Sequence, residues 1–211
     1  MIFEDRTDAG QLLAKELSKL KLDPKNSLIA AIPRGGVVVG RVIAEELGLK
    51  LTAIVIKKLG APGNPELAVG ATASFGKAVV DRWLIRDLGV SRKYLKKEIF
   101  NKKKEANVRE KFLGIEPVAS DYEGKNVVVV DDGIATGQTA KAAALIIRNF
   151  GAAKLILAVG CASPIALGQL KNNYDEIICP IISEELFAVG QFYRDFRPVE
   201  DEEVKEILNL Q

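Results

Sequence analysis

Histidine is absent from all 211 residues of the sequence. Its absence removes Ser-His-Asp and Cys-His catalysis and every imidazole-ligated metal. Cysteine is scarce: Cys161 and Cys179 are far apart and show no CxxC or Cys/His spacing. Neither a zinc site nor a disulfide framework is expected, and both thiols are expected to be reduced core residues. No apolar run reaches about 18 residues, and the opening MIFEDRTDAG is acidic, so no membrane span or signal peptide is expected and a cytoplasmic location is the simplest reading. The net charge of +2 is too small to imply a polyanion partner for the whole surface. Chemistry is left to carboxylates, lysines, arginines, backbone amides or a bound cation.

Hydrophobic residues make up 48% of the chain and charged residues 27%, the balance of a globular protein long enough to bury its own core. Asp5 or Thr7 is placed to cap a helix carrying Leu12, Leu13, Leu17 and Leu20, which LDPKN then breaks. SLIAAIP and LTAIVIKK read as strands joined by the helix-length GGVVVGRVIAEELG, a β-α-β unit. The same alternation returns after residue 125: NVVVVDD, TAKAAALIIRNFG, KLILAVG, PIALGQLKNN and EIICPII. Near-continuous apolar strands are buried on both faces, so the expected fold is a three-layer α/β/α domain with a mainly parallel, doubly wound sheet. Two segments interrupt the pattern. Residues 59–80 begin rich in glycine and proline and then alternate, predicting a loop over about 59–76 followed by one or two short strands. Residues 82–113 read as inserted helices, and their 91–113 part holds nine Lys/Arg against three Glu beside a stripe of Leu95, Ile99, Ala106 and Leu113.

Doubly wound sheets bind ligands beyond the carboxyl ends of their strands, where the winding reverses. Two loops qualify, PRGGVVVG and DDGIATGQTA. Adjacent carboxylates repel, so Asp131 and Asp132 must face hydroxyls, a cation or solvent. As acceptors they suit the vicinal hydroxyls of a ribose, directly or through Mg²⁺ and water. Gly133, Ile134, Ala135, Thr136, Gly137, Gln138 and Thr139 follow, combining tight backbone, hydroxyls and the amides of a helix start into a phosphate cradle. Two acids at a strand end also describe a solvent-facing turn; the complete string favours a ribose 5-phosphate site. In PRGG, Arg34, Gly35 and Gly36 match neither Walker A, since Arg41 and Val42 follow Gly40, nor the dinucleotide fingerprint.

The string VVVVDDGIATGQT closely resembles the phosphoribosyl pyrophosphate (PRPP) motif of type I phosphoribosyltransferases, and the resemblance extends in order over most of the chain. With EDRTDAG and KLGAPGNPELAVGA, the chain looks most like a group of predicted members known mainly from genomes. The resemblance implies a single domain over residues 1–211, with a hood and tail over about 183–211. It places ribose hydroxyls on Asp131 and Asp132 and the 5-phosphate on Ala135 to Thr139. Gly133 departs mildly from the usual apolar residue. PRGG becomes the pyrophosphate loop, with Arg34 as a catalytic cation and a non-proline cis peptide expected within Arg34 to Gly36. Lys57 and Lys58, read as ending the second strand, would sit beside it, Lys57 sharing the catalytic role; a solvated strand end is an equal reading of them. FAVGQFYRDF resembles hood material, with Phe187 and Tyr193 as candidate base-stacking residues beside Phe192 and Phe196, each of which also suits plain packing.

The implied reaction displaces pyrophosphate from ribose C1 by a nucleobase or related nitrogen, with Mg²⁺ as cofactor and Asp131 and Asp132 reaching it through water or ribose hydroxyls. Where hypoxanthine-guanine enzymes carry an aspartate, this sequence has Ala135; adenine, xanthine and uracil enzymes commonly carry alanine there. The implied acceptor is a purine other than hypoxanthine or guanine, or uracil, and the implied assembly is a homodimer or higher oligomer. The alternative is a non-catalytic PRPP-binding regulator whose basic 91–113 helix contacts nucleic acid. Against it, charge-rich helices are usually solvated faces.

Overall fold

The structure, a computed structural model, describes residues 2–210; the final residue of the expected tail, Gln211, lies outside them. Asp5 caps the first helix, α1 (Arg6–Ser18), by accepting the Asp8 amide at 2.9 Å, which satisfies one otherwise orphaned helical donor. Strand β1 (Ser27–Ala31) feeds α2 (Gly35–Leu47), which ends on Gly48 in the left-handed region at φ 64°, before strand β2 (Lys50–Ala53).

The chain then leaves this layer. Strands β3 (Lys57–Ala61), β4 (Asn64–Thr72) and β5 (Val79–Val80) form a separate antiparallel sheet, followed by α3 (Arg82–Asp87) and α4 (Arg92–Leu113). It returns with β6 (Asn126–Ile134), α5 (Gln138–Asn149), β7 (Lys154–Ala162) and α6 (Pro164–Leu170). Short strands β8 (Glu176–Ile178) and β9 (Ile181–Ile182) lead, after an irregular stretch, to α7 (Asp201–Asn209).

The main sheet has the order β2-β1-β6-β7-β8, with β9 also beside β7, and every pair is parallel. From β1 the chain winds outward to β2; from β6 it winds the other way to β7 and β8. The reversal therefore lies between β1 and β6, and their carboxyl ends share one crevice. Successive residues of β6 face opposite layers. Val127 and Val129 pack with Ala143, Ile146 and Ile147 of α5. Val128 and Val130 pack with Leu13 of α1, Ile43 of α2 and Val204 of α7. Two cores, one on each face, make the three-layer α/β/α fold.

Three elements differ from the sequence-based reading. LTAIVIKK is not one strand: β2 ends at Ala53, and Lys57 and Lys58 begin β3 instead of ending the second strand. Ile54 and Val55 are nonetheless buried, which explains the unbroken apolar run. The expected loop over 59–76 is largely the β3–β4 hairpin, with Pro62 and Gly63 (φ 75°) between the partners Ala61 and Asn64, the residue pair that a type II turn favours. EIICPII is split into β8 and β9 around Cys179 and Pro180.

Candidate active site

Strand β6 continues through Asp131, Asp132 and Gly133 to Ile134, two residues past the expected end. The acids therefore sit on rigid strand at the winding reversal. Their surroundings differ. Asp131 Oδ1 accepts the Asp132 amide at 2.9 Å. Burial pushes the Asp131 carboxyl well above the usual carboxylate range, and the neighbouring Asp132 charge adds to the push. Asp132 has a direct cationic partner: its Oδ2 accepts from Arg6 Nε at 2.8 Å. Arg6 also donates to the Arg197 carbonyl at 2.9 Å and lies over the Phe196 ring at 3.9 Å, and it is only 8% exposed.

The turn after the strand is open at Ala135 and Thr136 and closes at Gly137, which at φ 75° needs the conformational freedom of glycine and starts α5. Gln138 and Thr139 form the first turn of that helix, so their amides and the Thr139 hydroxyl lie at its positive end. Ser163 Oγ donates to the Ala135 carbonyl at 3.4 Å, tying the turn to the head of α6. Gly133 has a packing reason to be small: a Cβ there would come within 2.7 Å of Cys161 Sγ and crowd Val189.

PRGG meets the acids directly. A Cβ on Gly35 would overlap the Asp132 carboxylate, and one on Gly36 would lie 2.6 Å from the Val130 carbonyl and 3.0 Å from Asp131 Cα. The glycines thus let α2 start against the end of β6. The cis peptide is Pro33–Arg34, one bond before the expected stretch.

The predicted cations separate. Lys57 lines a cavity of about 90 Å³ at the strand ends with Pro33, Ile54, Arg109 and Thr139. Arg34 and Lys57 line a wider one of about 470 Å³ with Arg109, Phe112, Glu200 and Asp201. Lys58 instead lines a groove of about 290 Å³ between the small sheet and α5, with Gln138 and Lys141. Cation and phosphate turn therefore meet in two places.

The two candidate stacking residues also separate. Phe187 is 84% exposed, whereas Tyr193 is 5% exposed. The Tyr193 ring lies against Phe3 and Phe196, with centroids at 5.2 and 5.0 Å, and its hydroxyl donates to the Asp132 carbonyl at 2.6 Å. Stacking on a base needs an open ring face; Tyr193 instead buttresses Asp132. Both thiols are free, and burial pushes each up to about 12, so neither supplies a thiolate nucleophile near neutrality.

Arg6, Arg109 and Ser163 were not singled out by the sequence reading. Arg109 is one cation in a basic helix and Arg6 one residue of a capped first turn; only the fold brings them to the site. Among the described residues no three His, Cys, Asp or Glu side chains gather as a metal site. Asp132 is taken by Arg6 and Asp131 is driven toward its protonated form, so the pair does not suit a resident divalent ion held by the chain alone.

The family model of the phosphoribosyl transferase domain matches residues 4–196. A Mycobacterium tuberculosis protein named "Putative phosphoribosyl transferase" is 35% identical over 212 residues, covering 99% of this chain and 46% of the relative. The chain spans about half the length of the curated relatives it matches. A crystal structure from Thermus thermophilus has a TM-score of 0.87 at 37% identity, with 99% of this chain and 98% of that one covered. Purine phosphoribosyltransferase from Pyrococcus horikoshii shares the fold at a TM-score of 0.50 and 18% identity, over 92% of this chain and 93% of that one.

Proposed function

The chain belongs to the phosphoribosyltransferase family, and from that premise we propose that it transfers the 5-phosphoribosyl group of PRPP to a nitrogen acceptor, releasing pyrophosphate. The observation that supports this best is the meeting of Asp131 and Asp132 with Gly35 and Gly36 at the winding reversal. Asp131 and Asp132 hold the ribose hydroxyls, Asp131 acting as a donor when protonated and Asp132 as an acceptor steadied by Arg6. The turn from Ala135 to Thr139 and the head of α5 take the 5-phosphate. Arg34 and Lys57 face the departing pyrophosphate as the C1–O bond breaks and the C1–N bond forms, offsetting charge that grows on the leaving group. Mg²⁺ enters in this proposal as the counter-ion of PRPP, since the two aspartates do not suit it as a resident ion. Ala135 offers no acid or base, so the acceptor is a nitrogen that needs none from this position: a purine other than hypoxanthine or guanine, or uracil. A homodimer or higher homo-oligomer belongs to the same proposal and is tested by light scattering in solution.

The test mixes protein, PRPP and Mg²⁺ with a panel of purines, pyrimidines and simple amines, and measures pyrophosphate. Release that depends on one acceptor class is the expected result. PRPP binding with no release for any acceptor would contradict transfer and favour a PRPP-binding regulator.

A further inference from the structure

Arg34, Lys57 and Arg109 come from the β1–α2 turn, the start of β3 and the inserted α4, yet they line one cavity. Lys57 and Arg109 also line the smaller cavity that reaches Thr139. A trail of cations thus leads outward from the phosphate turn. Arg109 is held in place by its helix, since Ala106, Glu110 and Leu113 around it are buried. Its guanidinium grips Asp201 with two parallel bonds, Nη1 to Oδ2 at 2.8 Å and Nη2 to Oδ1 at 2.7 Å. Arg34 Nη1 lies 3.8 Å from Glu200 Oε2 and 3.9 Å from Asp201 Oδ1. This two-pronged geometry is the one by which arginine also binds phosphate.

We propose that Arg109 is a ligand of the pyrophosphate group of PRPP, and that Asp201 at the head of α7 occupies its guanidinium until pyrophosphate displaces it. The proposal rests on the transfer reading above. Helix α7 itself does not leave, because Val204 and Leu208 are buried in the core; only the acidic side chains at its head swing away. The contact is open enough to exchange, with the Arg109 and Asp201 side chains 28% and 31% exposed, and such partly solvated pairs are weak. Pyrophosphate offers more oxygens and more charge than one carboxylate, so it can engage Arg34, Lys57 and Arg109 together. Arg109 holds the Asp201 carboxyl below the usual range, with Arg34 adding to the effect, so the internal anion is in place at neutral pH.

Calorimetric titration of inorganic pyrophosphate into the wild type, Asp201→Asn, Arg109→Ala and Arg109→Lys tests this. Asp201→Asn removes the competitor and should tighten binding about threefold or more, while Arg109→Ala weakens it about tenfold and Arg109→Lys recovers part of the loss. Arg148→Ala, which breaks a pair with Asp175 elsewhere, should change nothing. Should Arg109→Ala fail to fold, Asp201→Asn and Arg109→Lys decide. Weaker binding in Asp201→Asn, or affinities within twofold of the wild type in Asp201→Asn and both Arg109 variants, would overturn the inference. If PRPP still binds the wild type and is lost on Asp131→Ala, that failure leaves the transfer reading standing. If neither PRPP nor pyrophosphate binds the wild type or Asp201→Asn, both readings fall.

Discussion

Asp131 and Asp132 are neighbours in sequence and opposites in setting. Asp132 has Arg6 at 2.8 Å, whereas Asp131 is desolvated beside its neighbour's charge. The folded-state pKa of Asp131 is raised, so charging it costs stability as pH rises past the ordinary carboxylate value of about 3.9, and nothing below it. Asp131→Asn should therefore melt above the wild type near neutrality, with the gap closing toward about pH 4. Thermal melts across pH check the sign; a variant less stable than the wild type at neutral pH would contradict it. Arg6→Gln should go the other way, by about 1–3 kcal/mol, because it leaves a partly buried carboxylate without its cation. Arg6→Lys should restore little, since one ammonium cannot hold Asp132, the Arg197 carbonyl and the Phe196 face together. Denaturant unfolding of both variants measures this. The acids were legible in the sequence because an apolar strand running into paired carboxylates is an unusual local pattern. Arg6 was not, because the loop that brings it to Asp132 closes across 126 residues.

At the scale of elements, the βα turns position the site by close approach. Gly36→Ala places a methyl group against the Val130 carbonyl and Asp131 backbone, neither of which can rotate away. It should cost about 1–3 kcal/mol and weaken PRPP binding by pushing α2 off the end of β6; urea unfolding and a PRPP titration on the same variant would show both. The parallel strands were readable from their unbroken apolar runs, which only a sheet covered on both faces accommodates. The alternation within 59–80 marked short strands there, but the start of β3 was not readable, since Val55 and Ile56 continue the apolar run of β2 beyond its last bond to β1, from the Ile54 amide to the Ala31 carbonyl, and hydrophobicity alone does not mark where a chain changes sheets. Helix α7 escaped for a related reason: DEEVKEILN is short and mostly charged, and its two buried residues, Val204 and Leu208, become significant only once α2 and α4 are there to receive them.

The molecule as a whole is a parallel sheet with a core on each face, a small antiparallel sheet beside it, and a crevice where β1 and β6 part. The basic α4 does not stand free: Lys103 donates to the Gly76 carbonyl, and Arg109 pairs with Asp201. Of its cations, Arg109 lines the cavity beside Arg34 and Lys57. The central claim is that the ends of β1 and β6 build a single PRPP site. Calorimetric titration of PRPP with Mg²⁺ into the wild type and Asp131→Ala, which removes donor and acceptor together, tests it most directly. The account predicts one PRPP per chain for the wild type and affinity at least about tenfold weaker, roughly 1.4 kcal/mol, for the variant; equal binding by the two proteins, or none by the wild type, would contradict it.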